Sequence, residues 1–398
     1  MKQQQHSIIT VGIVLSSVPG YSETFFRNKI NGLQQNGINV ILFVDMFSHE
    51  SIDLPCKIVS APNFGKTIFS RLKASMIAFK SICMYPKRSI KLYQLDKKDG
   101  VRLKNRIKNL LFNQYLLSQK LDWLHFGYGM LASNRENVAE AIGSKMAVSF
   151  RGFDLYLSPL KHKGCYDKLF SKDVKYHVLS QKMKQNLVSY NISEANIKVI
   201  TPAINTHLFQ EISQDHTSRK VVNITCISRL HWVKGINYLF EALSILKQNG
   251  IDFKFTVIGD GEEKERLVFS AHQFGILNEV IFTGKLPQKE VVTYLKKTDI
   301  YVQYSIQEGF GNAVLEAQAM GIFCIVSDAD GLQENILHEK TGLVVPKRNP
   351  KALAKAIEYV HGLDAKKKQS ITKCAIDRVR NDFNLEKQNT LFFEFYRK

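Results

Sequence analysis

Short runs rich in Val, Ile, Phe and Tyr alternate with stretches of helical period from one end of the chain to the other. In the first half the runs predict strands near 8–14, 38–45, 121–127, 146–151, 174–179 and 197–201. In the second half they predict strands near 221–228, 253–258, 279–283, 299–304, 323–327 and 343–345. Several are apolar without alternation, as parallel strands covered on both faces should be. Between them lie amphipathic stretches such as GINYLFEALSILKQNG (235–250), which closes on Gly250 as a helix C-cap would. Repeated βα units predict an α/β chain built on doubly wound parallel sheets.

The stretch TPAINTHLFQEISQDHTSRK (201–220) interrupts the alternation and turns polar, so a linker is placed there, with a fresh strand starting at Val221. This divides the chain into an N-terminal domain over 1–203 and a C-terminal domain over 204–383, followed by a helical pattern over 384–398. A length of 398 residues also suggests two domains rather than one. With 44% hydrophobic and 23% charged residues, each half can bury a core and neither reads as disordered.

The apolar run IITVGIVLSSV (8–18) has one preceding Lys and no clean small-residue cleavage site after it, so it reads as a buried first strand. No apolar run is long enough to span a membrane. The six cysteines form no C-x-x-C pair and are expected as reduced thiols, in keeping with a cytoplasmic protein.

Lys and Arg total 55 against 36 Asp and Glu, a balance that attracts anions without choosing among nucleotides, nucleic acid and acidic membranes. The basic residues concentrate in KRSIKLYQLDKKDGVRLKNRIK (87–108), whose acids are Asp96 and Asp99. LKNRIKNLLFNQYLL (103–117) has apolar residues at helical spacing. A solvated basic face explains this segment, and so does a surface for anionic lipid headgroups. Without zinc-finger spacing or interleaved aromatics, nucleic acid is not expected as a specific partner.

Ligands of doubly wound folds bind at the carboxyl ends of strands, where the chemistry-bearing motifs of the second half fall. SRLHWVKG (228–235) supplies Arg229 and Lys234, fixed cations suited to a diphosphate. GDGEEKERL (259–267) brings Gly259 and Gly261, which let backbone approach a ligand, although a tight turn with Asp260 as a cap explains them equally. SIQEGFGNAVLEAQAMG (305–321) places Gly309, Phe310 and Gly311 before a helix starting near Asn312, whose free N–H groups form an anion site. Glu308 lies before that helix and Glu316 about one turn into it, so one carboxylate can face a sugar while the other faces ribose hydroxyls.

Together these segments resemble the family 4 retaining glycosyltransferases, which have the GT-B fold of two Rossmann-like domains facing a central cleft. Glu308 and Glu316 meet the family's E-x7-E pattern, and Arg229 and Lys234 match its diphosphate-binding pair. The G-D-G turn is matched at 259–261 and the F-x-G strand end at FTG (282–284), so the resemblance adds Gly284, Lys285 and Leu286 to the donor-binding residues. PAINTHLF (202–209) resembles the family's interdomain linker but carries Ala203 and Asn205 where Asn or Gly and then Asp are usual. VPGYSETFFRNKI (18–30) and HFGYG (125–129) resemble the exopolysaccharide branch, of colanic acid and amylovoran type.

The resemblance places Glu23, Thr24, His125, Arg151 and Asp154 on the acceptor side. Helix capping by Ser22 and a first-turn charge at Glu23 explain those two residues without any substrate. SFRGFD (149–154) puts Arg151 where the family often has His, and Arg stays protonated, so it cannot serve as a base. Asp154 either orients an acceptor or forms a structural ion pair.

The resemblance further implies a nucleotide-diphosphate-sugar donor, a glycan or polyprenyl-diphosphate-linked acceptor, and transfer of a hexose-type sugar in bacterial cell-surface polysaccharide synthesis. It implies no metal and no other cofactor, with Glu308, Arg229 and Lys234 as catalytic residues. It also implies that the helix over 384–398 crosses back to the first domain. A non-catalytic nucleotide-sugar-binding subunit and a GT-B-type epimerase are the competing readings.

Overall fold

The computed structural model describes residues 8–20, 24–46, 54–65, 67–212 and 220–397. It divides into two compact units. The first comprises Met1–Val178, Lys184–Ile200 and Asn389–Lys398, the second Leu179–Met183 and Thr201–Gln388.

The first unit holds a parallel sheet of seven strands: β1 (Thr10–Leu15), β2 (Asn39–Val44), β3 (Lys57–Ser60), β4 (Trp123–Phe126), β5 (Lys145–Ser149), β6 (Val174–Val178) and β7 (Ile197–Val199). Their order is β3-β2-β1-β4-β5-β6-β7, so the direction of winding reverses between β1 and β4. Five of the six residues of β1 are fully buried, as its unbroken apolar run requires. Every strand expected in this half is present. The additional β3 escaped the reading because its four residues, half-buried at a sheet edge, carry no distinctive pattern.

The second unit holds a parallel sheet of six strands: β8 (Val222–Ile227), β9 (Phe253–Ile258), β10 (Val280–Gly284), β11 (Ile300–Gln303), β12 (Phe323–Ser327) and β13 (Leu343–Val345). The order β10-β9-β8-β11-β12-β13 again reverses at one point, between β8 and β11. The helix Ile236–Gln248 covers this sheet with Leu239, Phe240, Leu243 and Leu246, and Gly250 (φ +78°) ends it as expected. The linker region is partly built into this unit: Phe209 is buried, Ile204 bridges to Asn384, and 213–219 lie outside the described residues.

The helix Leu385–Arg397 contributes its last turns to the first unit. Phe392, Phe395 and Tyr396 join the core formed by β1, β2 and their helices. Its terminal carbonyls, which no helical N–H can satisfy, are taken by side chains of the sheet. Trp123 Nε1 donates to Tyr396 O at 2.8 Å and Lys175 Nζ to Phe395 O at 2.6 Å.

His125 is wholly buried in this core and cannot touch an acceptor, which corrects its sequence assignment. Its contacts form one consistent chain. His177 Nε2 must donate to Ile200 O (3.0 Å), so its Nδ1 accepts from Ser149 Oγ (2.8 Å). Ser149 then accepts from His125 Nε2 (2.7 Å), and His125 Nδ1 accepts from Tyr396 OH (2.5 Å). Both imidazoles are therefore neutral, and burial holds both well below the usual histidine range.

Lys29 Nζ lies 3.4 Å from each ring nitrogen of His125 and 4.3 Å from the centre of the Phe392 ring. Burial first, then the nearby Arg151 charge, pushes its ammonium well below 10.5. Between the lowered value and 10.5 the unfolded chain binds more protons than the folded one, so stability rises with pH across that window. Lys29→Met should therefore stabilise the protein at neutral pH by about 1–3 kcal/mol. The gain should shrink as pH climbs towards 10.5. Urea unfolding at several pH values measures it, and a gain that does not shrink with pH would contradict this account.

Candidate functional site

In the second unit, the loops after β8 and β11 flank the point where the winding reverses, where a doubly wound sheet opens a crevice at its carboxyl edge. Arg229 and Lys234 stand on the first loop, and Glu308 on the second.

The loop after β8 is fixed on both sides by backbone. Leu230 N donates to Asp260 O at 3.0 Å and Glu263 N to Leu230 O at 3.2 Å, which ties it to the turn after β9. Gly259 N donates to Gly284 O at 3.0 Å, which ties that turn to the end of β10. A Cβ at Gly259 (φ +143°) would collide with the Ser228 carbonyl, and one at Gly261 with the Leu230 carbonyl. The glycines of the G-D-G turn thus let two loops pack against each other, with Arg229 between the contacted residues. This packing by itself requires glycine at both positions and places Arg229. The Arg229 side chain itself is exposed.

On its other side the same loop is stapled to the chain after β11. Ile306 N donates to Val233 O at 2.7 Å, and a Cβ at Gly235 would strike the Tyr304 carbonyl. A single 3-10 turn, Trp232–Lys234, brings Lys234 round, and His231 accepts from Val233 N at 3.4 Å. Burial, and then the Arg229 charge, lowers the His231 pKa, so this cap is neutral at physiological pH. The sequence reading missed His231, although a polar residue just before a helical turn is the ordinary signal of a cap.

Lys234 donates to Glu308, and the two side chains are 15% and 16% exposed. Ser305 Oγ also donates to Glu308, at 3.1 Å. The cation and carboxylate assigned separately from the sequence thus form one pair across the crevice edge. Ser305 is set in turn by Ser327, which donates to its carbonyl at 2.6 Å from the end of β12. Gln307 donates to Asp330 at 2.5 Å, and Gly331 N donates to Glu308 O at 3.1 Å. The segment after β12 thus braces the E-G-F-G loop, a role invisible in the spacing of its residues.

The helix Asn312–Ala319 follows, with Gly311 as N-cap and no side-chain cap on its first N–H groups. Gly309 and Gly311 are buried, while Asn312 and Ala313 are partly open. Phe310 is turned inward, its ring 5.8 Å from that of Phe383, so only its backbone can serve a ligand. Glu316 is partly buried, and burial alone pushes its carboxyl up to about 8. Among the described residues no cation offsets that burial, which makes Glu316 a candidate functional position. Lys285 is exposed and Leu286 partly buried beyond β10.

The acceptor-side residues of the first unit divide differently. Ser22 and Glu23 lie outside the described residues, and Thr24 opens the helix Thr24–Gln35. The Arg151 guanidinium stacks 3.4 Å from the centre of the Phe25 ring. Asp154 is buried and accepts backbone N–H groups of Gly129, Met130 and Arg151, while burial pushes its carboxyl up to about 6. It fastens the turn after β4 to the chain after β5, while its Oδ2 has no hydrogen-bond partner among the described residues. Asp96 and Asp99 of the basic segment likewise turn towards partners: Asp99 accepts from Lys172 at 2.7 Å, and Asn137 donates to both carboxylates. The expected helix over 103–117 breaks at Asn113, into Leu103–Phe112 and Gln114–Leu117.

Comparison with known proteins identifies residues 209–377 as a domain of the family described as Glycosyl transferases group 1. The chain is 28% identical over 239 residues to the amylovoran biosynthesis glycosyltransferase AmsK of Erwinia amylovora, a stretch covering 58% of each chain. It is 24% identical to the putative colanic acid biosynthesis glycosyltransferase WcaL of Escherichia coli, over 72% of this chain and 73% of that one. These relatives match the exopolysaccharide branch that the motifs indicated. Among solved structures, sucrose-phosphate synthase of Thermosynechococcus elongatus aligns with a TM-score of 0.75 at 17% identity, over 98% of both chains. HepE of Anabaena in complex with UDP-glucose aligns at 0.72 and 15%, over 97% of this chain and 98% of that one. The fold is accordingly of GT-B type, with two Rossmann-like domains.

Proposed function

We propose, with residues 209–377 as a group 1 glycosyl transferase domain for a premise, that the protein is a retaining glycosyltransferase. It moves a hexose-type sugar from a nucleotide-diphosphate-sugar to a glycan or polyprenyl-diphosphate-linked acceptor in cell-surface polysaccharide synthesis. The observation that carries this reading is the Lys234–Glu308 pair, which joins the loops after β8 and β11. The exposed Arg229 lies on the first of these loops, and the second leads into a helix start without a side-chain cap, with Glu316 on that helix. Diphosphate charge suits the cations and the helix start, whereas sugar hydroxyls suit the carboxylates. The nucleotide in the HepE structure and the polysaccharide roles of the two relatives are in keeping with it.

In this scheme the bond between the anomeric carbon and the diphosphate oxygen breaks while the acceptor oxygen bonds to the same face. The departing diphosphate oxygen takes the acceptor's proton. Arg229, Lys234 and the N–H groups near Asn312 stabilise the charge gathering on the diphosphate, so the scheme needs neither metal nor general base. Arg151 in place of His is compatible with such a route. The reaction is placed at the cytoplasmic face of the membrane, with the cations of 87–108 attracted to anionic lipid.

A thermal-shift series with nucleoside diphosphates and their sugars tests the reading. A ligand at a hundred times its Kd stabilises the folded state by about 2.7 kcal/mol, a shift of several degrees. If no nucleotide shifts the midpoint, the donor site is wrong. A shift without donor hydrolysis or transfer would favour a non-catalytic binding subunit, and conversion of the donor to an epimer would favour epimerase chemistry.

A further inference from the structure

The helix Ile68–Met84 buries its smallest side chains and exposes its largest. Its buried residues are Ala74 and Ala78. Ile68 (78%), Phe69 (79%), Leu72 (59%), Met76 (73%) and Phe79 (67%) face solvent. At about 100° per residue these five fall in a single stripe roughly 100° wide, on the side opposite the alanines. A helix that serves only its own domain does the reverse and turns its large apolar residues inward. The helix is nonetheless well formed at its start, where Thr67 Oγ1 accepts from Ser70 N at 3.2 Å.

Charge identifies what covers the stripe. Lys73 and Lys80 border it on one side and Arg71 on the other, by the same helical geometry. Exposed Lys87, Lys97 and Lys98 follow in the next helix, Pro86–Lys98. The acids of 67–112 are Asp96 and Asp99, and both are occupied by Lys168, Lys172 and Asn137. An apolar stripe rimmed by uncompensated cations fits the plane between anionic headgroups and acyl chains. A second copy of the chain would instead set like-charged rims against each other.

We propose that the helix Ile68–Met84 lies in the interfacial plane of an anionic bilayer and anchors the first unit there. The cations of 87–108 steer the approach, and the apolar stripe inserts. This does not rest on the transfer reaction, and its failure would leave the donor-site reading untouched.

The full chain should float with vesicles of phosphatidylcholine containing phosphatidylglycerol and bind far less to phosphatidylcholine alone. The double variant Leu72→Gln, Phe79→Gln keeps every charge and removes only apolar surface. Its partition onto the anionic vesicles should fall by roughly tenfold or more with the thermal midpoint unchanged, because these side chains are exposed. Unchanged partition would mean adsorption by cations alone and would overturn the proposal. So would a concentration-dependent dimer that this variant dissolves, in a protein that ignores vesicles. Cys83 is exposed within the same stripe, so an environment-sensitive dye on it, in a Cys374→Ser background, should shift to the blue on anionic vesicles. A dye still in water at saturating lipid would contradict insertion.

Discussion

Lys234→Ala is expected to slow sugar transfer by two to three orders of magnitude, about 3 kcal/mol of transition-state stabilisation. In the proposed scheme the variant loses a cation from the place where the diphosphate would gather charge. It also strips Glu308 of its partner, since Lys234 and Glu308 are paired at the crevice edge. The stranded carboxylate would then repel the departing diphosphate. Lys234→Ala should therefore be more damaging than the addition of separate effects implies, and Lys234→Ala with Glu308→Gln should recover part of the loss. Both side chains are partly exposed, so the pair itself should contribute no more than about 1 kcal/mol to stability. Turnover with the identified donor measures the effect on chemistry, and thermal unfolding measures the effect on the fold. Near-native turnover in Lys234→Ala would remove this residue from the reaction.

Glu316→Gln should separate stability from binding. The folded-state carboxyl value of about 8 lies far above the ordinary 4.5, so between those values the folded protein holds a proton that the unfolded chain has released. Wild-type stability should fall as pH rises through this window, by about 1.4 kcal/mol per pH unit attributable to this group. Glu316→Gln lacks that slope. It should gain on the wild type by on the order of 4 kcal/mol between pH 4.5 and 8, about three quarters of it below neutrality. Its affinity for the nucleotide should fall, because ribose hydroxyls donate to a carboxylate better than to an amide oxygen. Wild-type nucleotide affinity should accordingly strengthen towards pH 8, with proton release detectable by calorimetry in buffers of different ionisation enthalpy. A variant equal to the wild type in both stability profile and affinity would return Glu316 to an incidental place on the helix.

The alternation of apolar runs and helical stretches by itself determined the two parallel sheets, because a strand covered on both faces has to be apolar along its whole length. The same alternation put Arg229, Lys234 and Glu308 at strand ends, since loops of βα units fall there whatever their sequence. Edge strand β3 was not legible, because half-buried backbone at an edge asks little of its side chains. Contacts between segments distant in sequence were decided only by the tertiary structure. The strand-end motif around His125 resembled an acceptor site, yet Tyr396, 271 residues away, closes that position into the core. Gly259 and Gly261 suggested close approach of backbone to a ligand, and the structure adds that carbonyls of the neighbouring loop stand where a side chain would go. The basic segment 87–108 suited a solvated face as well as lipid, while the apolar stripe of 68–84 became visible only when Ala74 and Ala78 were seen to be the buried side of that helix. Periodicity says which residues share a face. It does not say which face finds a partner, because that depends on the elements the chain later brings against it.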